Sequence, residues 1–261
     1  MIALNCLQYS GLLKSLLARD LKERYTNTIL GLAWLLIQPL FLLILYTFVF
    51  SEVLKIRFES TPSTAVFAFY LFAGLLVFNA LAEVLTRAPT LLTERRELLL
   101  NTPLPAWILP LLPVGTSLVL EWLALLILCL GLAWWGDMLG WGLVLYVPYC
   151  LVRVILSLAA AYCLAILGVF LRDLRQIMPA VLSVLLFISP VLYPLERIPE
   201  HFKPLYDWNL FGQLVQGYRQ ALLEGIFVWQ HWLGLLLIAT LCLGASLWLF
   251  QRLMGKARLV L

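Results

Sequence analysis

Charge is scarce in this sequence. Of its 261 residues, 18 are Lys or Arg and 14 are Asp or Glu, so 12% are charged. A soluble domain carries about 25%, so a chain wetted on all sides is excluded. Histidine is scarcer still. His201 and His231 lie far apart, each without a nearby second ligand, and neither reads as catalytic. The five cysteines, Cys6, Cys129, Cys150, Cys163 and Cys242, have no metal-like spacing and read as small apolar packing residues. A phosphate loop is missing: Gly255-Lys256 lacks the preceding glycine and the following Ser or Thr. No H-E-x-x-H or G-x-S-x-G occurs, and no low-complexity stretch or internal repeat stands out. The chain is therefore expected to do no covalent chemistry and to hold no cofactor or metal. Any ATPase that powers it must be a separate chain.

Apolar residues are what the sequence has: 63% are hydrophobic, and the mean hydropathy is +0.98. About 20 apolar residues cross a bilayer. Six runs meet or approach that length, at about 30–50, 65–83, 104–135, 138–171, 176–195 and 226–251. The reading is an all-α integral membrane protein with six transmembrane helices, forming one domain over 1–261. Residues 136–140 leave room only for a tight hairpin. Ahead of the first run, Lys14, Arg19, Lys22 and Arg24 are mixed with Asp20 and Glu23, and no small-residue cleavage site follows. A signal peptide is not expected. Leu12, Leu13, Leu16, Leu17 and Leu21 recur at helical spacing, so 10–28 reads as an amphipathic helix in the membrane interface.

Loop charge sets the orientation. With the N-terminus in the cytoplasm, Lys55, Arg57, Arg197, Lys203 and Arg219 fall outside and Arg153 falls within the membrane. The other 12 of the 18 basic residues fall inside. Six spans return the C-terminus to the cytoplasm. The net charge of +4 then reflects topology and gives no reason to expect nucleic acid.

Three features break the apolar pattern. The first is Glu121 in span three and Arg153 in span four. A charge at mid-membrane costs at least about 2.5 kcal/mol on insertion scales. Measured from the 136–140 hairpin, the two fall at similar depth, at about 1.5 Å per residue. They read as an intramembrane ion pair, with contact between Arg153 and substrate as the alternative. The second feature is 88–105, where Thr93 is positioned to cap a short helix starting at Glu94. Glu94, Arg95, Arg96, Glu97 and Leu98 form its charged-to-apolar start. A docking element for a partner and an ordinary helical hairpin both fit. The third is 195–225, too polar to span and too apolar for an open loop. Pro190 and Pro194 break span five before it. Short re-entrant helices fit, and such backbone is tolerated only where protein or a water-filled cavity covers it. Pro190, Tyr193, Pro194, Tyr206 and Phe211 are candidates for an outer gate. Aromatics are dense in spans one and two. Trp34, Tyr46, Phe67, Tyr70 and Phe78 are candidates to line a path on which sugar C–H faces stack, with packing and lipid contact as the plainer reading.

Three stretches then carry a resemblance. Arg24-Tyr25-Thr26-Asn27-Thr28-Ile29-Leu30-Gly31-Leu32-Ala33-Trp34 is followed by Gln38-Pro39-Leu40. Arg172-Asp173-Leu174-Arg175-Gln176-Ile177 precedes Ser189-Pro190-Val191-Leu192-Tyr193-Pro194 and Ile198-Pro199. Asn209-Leu210, where the family usually has Asn-Pro, leads to Tyr218-Arg219. In order and spacing these resemble the membrane (permease) subunit of ABC-2-type polysaccharide exporters, which move O-antigen, capsule and teichoic acid chains. The resemblance implies a homodimer in the bacterial inner membrane, two nucleotide-binding ATPase subunits that hold ATP and Mg, and a lipid-linked glycan substrate. It also implies a cytoplasmic interfacial helix, a coupling helix at 88–105 and re-entrant outer helices at 195–225. An exporter of small lipids or drugs and a membrane-embedded transferase are the rival readings. A transferase would need acidic or His clusters at a membrane face, and none is found.

Overall fold

The computed structural model describes residues 9–25, 30–49, 64–101, 104–134, 141–195, 198–202 and 208–260. Among them there are helices and turns and no strand. In chain order the helices are α1 (Ser10–Tyr25), α2 (Trp34–Thr47), α3 (Thr64–Arg87), α4 (Leu91–Glu94), α5 (Arg96–Asn101) and α6 (Leu111–Trp134). They are followed by α7 (Gly142–Phe170), α8 (Leu174–Ile188), α9 (Leu210–Arg219) and α10 (Trp229–Val260). Helix is the outcome physics favours here, because in lipid every backbone polar group must be satisfied within the segment. Four helical runs are long and apolar enough to cross a membrane: Phe67–Glu94, Ala106–Trp134, Gly142–Phe170 and Trp229–Val260. Leu174–Ile188 is apolar but shorter.

α3 is the centre of the bundle. Ala73 and Val77 are fully buried, clustered with Leu128 and Leu132 of α6 and with Leu214 and Val215 of α9. α7 packs along α10, and α10 buries only Leu235, Ala239, Phe250 and Ala257. The connections gather at two ends. At one, here the loop end, Pro89, Thr90, Thr93, Arg96, Arg172, Arg175 and Val260 border one cavity. At the other, Tyr149 near the start of α7 meets Phe227 and His231, and α9 meets the end of α8.

Two local geometries follow directly from sequence. Ser189 ends α8 in an extended conformation (φ −86°, ψ 144°), as expected of a residue before proline. The Tyr193 hydroxyl then donates to the freed Phe187 carbonyl at 2.7 Å. Asn209 caps α9, its side chain accepting from the Gly212 N–H at 3.0 Å and donating to Ser189 Oγ at 2.9 Å. α9 and the π-helical turn Gln220–Glu224 bury Phe211, Leu214, Tyr218 and Leu222, and Gly225 closes them in the left-handed region (φ 66°).

The segment after α3 departs from expectation. No helix starts at Glu94 under a Thr93 cap. Thr93 lies inside the helix Leu91–Glu94 and not ahead of one, with its Oγ1 donating backward to the Thr90 carbonyl at 2.8 Å. The chain instead runs through the turn Ala88–Thr90 into α4, breaks at Arg95, and resumes as α5. Leu91 and Leu92 anchor this stretch in the core beside Ile166 and Phe250. Arg219, in a connecting segment expected on the outer side, has its side chain fully buried in the protein.

Candidate functional site

Two neighbouring hydroxyls on α6, Thr116 and Ser117, are both fully buried and serve two different polar clusters. Thr116 Oγ1 donates to Asp20 Oδ2 of α1 at 3.1 Å. The other oxygen of Asp20 accepts from Arg87 at 2.6 Å and from Arg95 at 3.2 Å. Arg87 also reaches Glu83 at 3.3 Å, and Arg95 reaches Glu23 at 3.4 Å. Burial pushes the Asp20 carboxyl up. The hydrogen bond and charge of Arg87, the Thr116 hydroxyl and the charge of Arg95 outweigh it and hold the group below the usual carboxylate range. This cluster fastens α1 to the α3–α6 connection at the loop end.

Ser117 begins the second cluster. Its hydroxyl donates to the Val114 carbonyl at 2.8 Å and accepts from Arg153 Nη1 at 3.0 Å. Arg153 of α7 makes an ion pair with Glu121 of α6, and both are essentially without solvent contact. The second oxygen of Glu121 accepts from the Tyr218 hydroxyl of α9 at 2.7 Å. Tyr218 is wedged edge-on against Tyr146 at 5.2 Å between ring centres. A carboxylate buried this deeply is tolerated because it is both paired and hydrogen-bonded.

The residue after Tyr218 continues outward. Arg219 donates to the carbonyls of Pro190 at 2.5 Å, Val191 at 2.6 Å and Tyr70 at 3.1 Å. Its guanidinium lies 3.6 Å above the Tyr70 ring, an arrangement that planar, weakly hydrated Arg suits better than Lys. Gly74 makes room for it. A methyl there would sit 2.7 Å from Arg219 Nη2 and 3.0 Å from the Val191 carbonyl. Arg95, Asp20, Thr116, Ser117, Arg153, Glu121, Tyr218, Arg219 and Val191 thus form a nearly unbroken polar line from the loop end to the α8–α9 junction. A cavity of about 610 Å³ runs beside its first half, bordered by Asp20, Arg95, Gln38, Asn79 and Glu121.

The structure brings Glu121 and Arg153 together. It separates the members of the 88–105 group: Glu94, Arg96 and Glu97 are exposed, Leu98 is half-buried, and Arg95 turns back to Asp20 and Glu23. The aromatic candidates do not converge. Trp34 is exposed, Phe67 is buried, Tyr70 lies under Arg219, and Phe78 packs edge-on against Phe211 at 6.2 Å. The Tyr46 side chain lies outside the described residues. Of the outer candidates, Pro190, Pro194 and Phe211 are buried and Tyr193 caps α8, whereas Tyr206 lies outside the described residues. Asp20, Thr116, Ser117, Tyr218 and Arg219 were not singled out as site residues by sequence reasoning. Among the described residues no group of His, Cys, Asp and Glu is arranged to hold a metal.

Comparison with known proteins gives one family and a consistent set of relatives. The family described as ABC-2 type transporter matches residues 11–223. An O-antigen export system permease protein RfbA of Myxococcus xanthus is 35% identical over 194 residues, 74% of this chain and 72% of that protein. An RfbA permease of Klebsiella pneumoniae is 23% identical over 218 residues, 82% of this chain and 80% of its own. The polysialic acid transport protein KpsM of Escherichia coli is 21% identical over 252 residues, covering 90% and 91% respectively.

Proposed function

This chain belongs to the ABC-2 type transporter family, and on that premise we propose that it is the permease subunit of an ATP-driven exporter of O-antigen or capsular polysaccharide. One observation carries the substrate class. Relatives from three organisms, matched over 72% to 91% of their own length, are named for the export of glycan chains. The chain acts as a conduit, and hydrolysis belongs to two separate ATPase subunits that hold ATP and Mg.

In this reading α2, α3, α6, α7, α8 and α10 are six spans of a bacterial inner-membrane protein. The positive-inside rule then puts the loop end, both termini and α1 on the cytoplasmic side. α1 lies along the interface and α5 is the coupling helix. Its exposed face, with Glu97 and Leu100, meets the ATPase, while Arg95 ties the adjoining turn to α1. The re-entrant α9 closes the outer side. Two copies form the exporter. Trp34, Phe41 and Phe48 of the first span have large exposed areas, so they, more than buried Phe67, offer ring faces to a passing sugar chain. When the ATPases close, motion at α5 reaches Asp20 and α6, then Tyr218 and Arg219, and releases the α8–α9 junction.

Depleting this chain in its host should stop a glycan from reaching the cell surface and cause that glycan to accumulate inside. Restoring the chain should reverse both effects. Unchanged surface glycan, with accumulation of a small lipid or drug instead, would overturn the substrate class.

A further inference from the structure

A second cavity lies at the loop end, about 360 Å³ in volume, and the line described above does not use it. It is bordered by Arg96 of α5 and by Arg172 and Arg175 at the α7–α8 turn. Its described lining residues include no carboxylate, and none of the three arginines makes an ion pair with a described residue. Thr90 and Thr93 also border it, but their hydroxyl hydrogens go to the Arg87 and Thr90 carbonyls. The floor is rigid, because Gly168 packs directly on the Pro89 carbonyl with no room for a methyl.

Three like charges around one recess repel one another unless an anion sits among them. Guanidinium groups match phosphate with forked, charge-assisted hydrogen bonds. The surroundings specify the source of that phosphate. Phe170 and Leu171, immediately before Arg172, are exposed, as are Leu259 and Val260 at the end of α10. The recess therefore sits where apolar helix surface gives way to charge, the level of lipid headgroups. Basic pockets between membrane helices on the cytoplasmic side take anionic headgroups.

We propose that the Arg96, Arg172 and Arg175 cavity holds the phosphate of a resident anionic phospholipid and thereby tethers the α5 segment to the α7–α8 turn. The assignment rests on the cytoplasmic placement of the loop end given above.

The test uses the purified full chain and native mass spectrometry with phosphatidylglycerol and phosphatidylcholine. Phosphatidylglycerol should bind in preference and survive detergent washing. Arg172→Gln with Arg175→Gln should weaken that binding about 30-fold, at roughly fivefold per basic group. Arg172→Lys with Arg175→Lys should keep most of it. Thermal unfolding monitors whether each variant is folded. Equal retention by wild type and the Gln pair, or equal binding of both lipids, would overturn the proposal. Displacement by millimolar inorganic phosphate would reassign the recess to a free anion. Loss of ATPase co-purification without change in lipid binding would reassign it to acidic side chains of the partner. Thiol labelling of Arg258→Cys in whole cells tests the topology separately. Labelling from outside would refute the placement and leave the lipid measurement standing.

Discussion

The Asp20 cluster and the Glu121 cluster use the same parts. Each has a carboxylate, arginine and an α6 hydroxyl, and the two hydroxyls are adjacent residues. They differ in alternatives. Asp20 has two arginines, each arginine has a second acid, and the 610 Å³ cavity borders them. Glu121 and Arg153 have each other, one serine, one tyrosine and the Cys150 thiol, and although Glu121 also borders that cavity the pair has almost no solvent contact. The first cluster can exchange partners without leaving a charge bare. The second cannot. A junction with spare partners and a junction without them are thus built from one chemistry.

The largest effect should come from Arg153→Gln alone, which strands Glu121 and is expected to cost about 3–5 kcal/mol. Adding Glu121→Gln should recover part of that loss. A double-mutant cycle of thermal stability in nanodiscs reads both, and strictly additive losses would break the contrast. Next comes Arg219→Gln, which leaves buried carbonyls of Pro190 and Val191 short of donors at about 1–3 kcal/mol each. A cysteine at Phe211 should then react faster with a bulky thiol reagent than in the wild-type background. An unchanged rate would mean that Arg219 does not hold the α8–α9 junction. Asp20→Asn should be milder, about 1 kcal/mol, because Arg87 keeps Glu83 and Arg95 keeps Glu23. A loss equal to that of Arg153→Gln would erase the distinction. The smallest effects are those of solution conditions. The Asp20 carboxyl is depressed in the folded chain, so its contribution is complete above its ordinary value of 3.8 and lost as pH falls through the lower folded value. Wild type should lose more stability than Asp20→Asn over that acid range. Added salt should weaken the Asp20 cluster and leave the Glu121 pair unaffected, since screening acts on groups near water.

What sequence could and could not reveal follows from cost. Apolar runs identify the helices because an unbroken run of that length in lipid satisfies its backbone as a helix, whereas barrel strands are short and alternate. Glu121 and Arg153 stand out because charge there is expensive, and their depths follow from helix rise. Hydroxyls carry no such signal. Thr116, Ser117 and Tyr218 sit in apolar helices without advertising a partner, and Asp20 sits among surface charges of α1 that look alike on paper. Arg219 misleads because a basic residue in a connecting segment normally faces water. What buries it is Gly74, more than 140 positions away, whose missing side chain is legible only once α3 and α9 are side by side. Thr93 misleads because a threonine before an acidic stretch has the form of an N-cap. The helix that holds Leu91 and Leu92 in the core already includes Thr93, so the residue stands within a turn and not ahead of one.

α10 carries one more consequence, that of length. Its 32 residues extend about 48 Å at the standard rise, against a hydrocarbon thickness of about 30 Å. One face of it packs along α7, and most of its other surface faces away from the bundle. Such a helix leans in a thin bilayer and straightens in a thick one. Its final turns reach the arginine-lined recess through Val260. Bilayer thickness is then a mechanical input to this protein, delivered, on the topology proposed above, at the face where the ATPases dock.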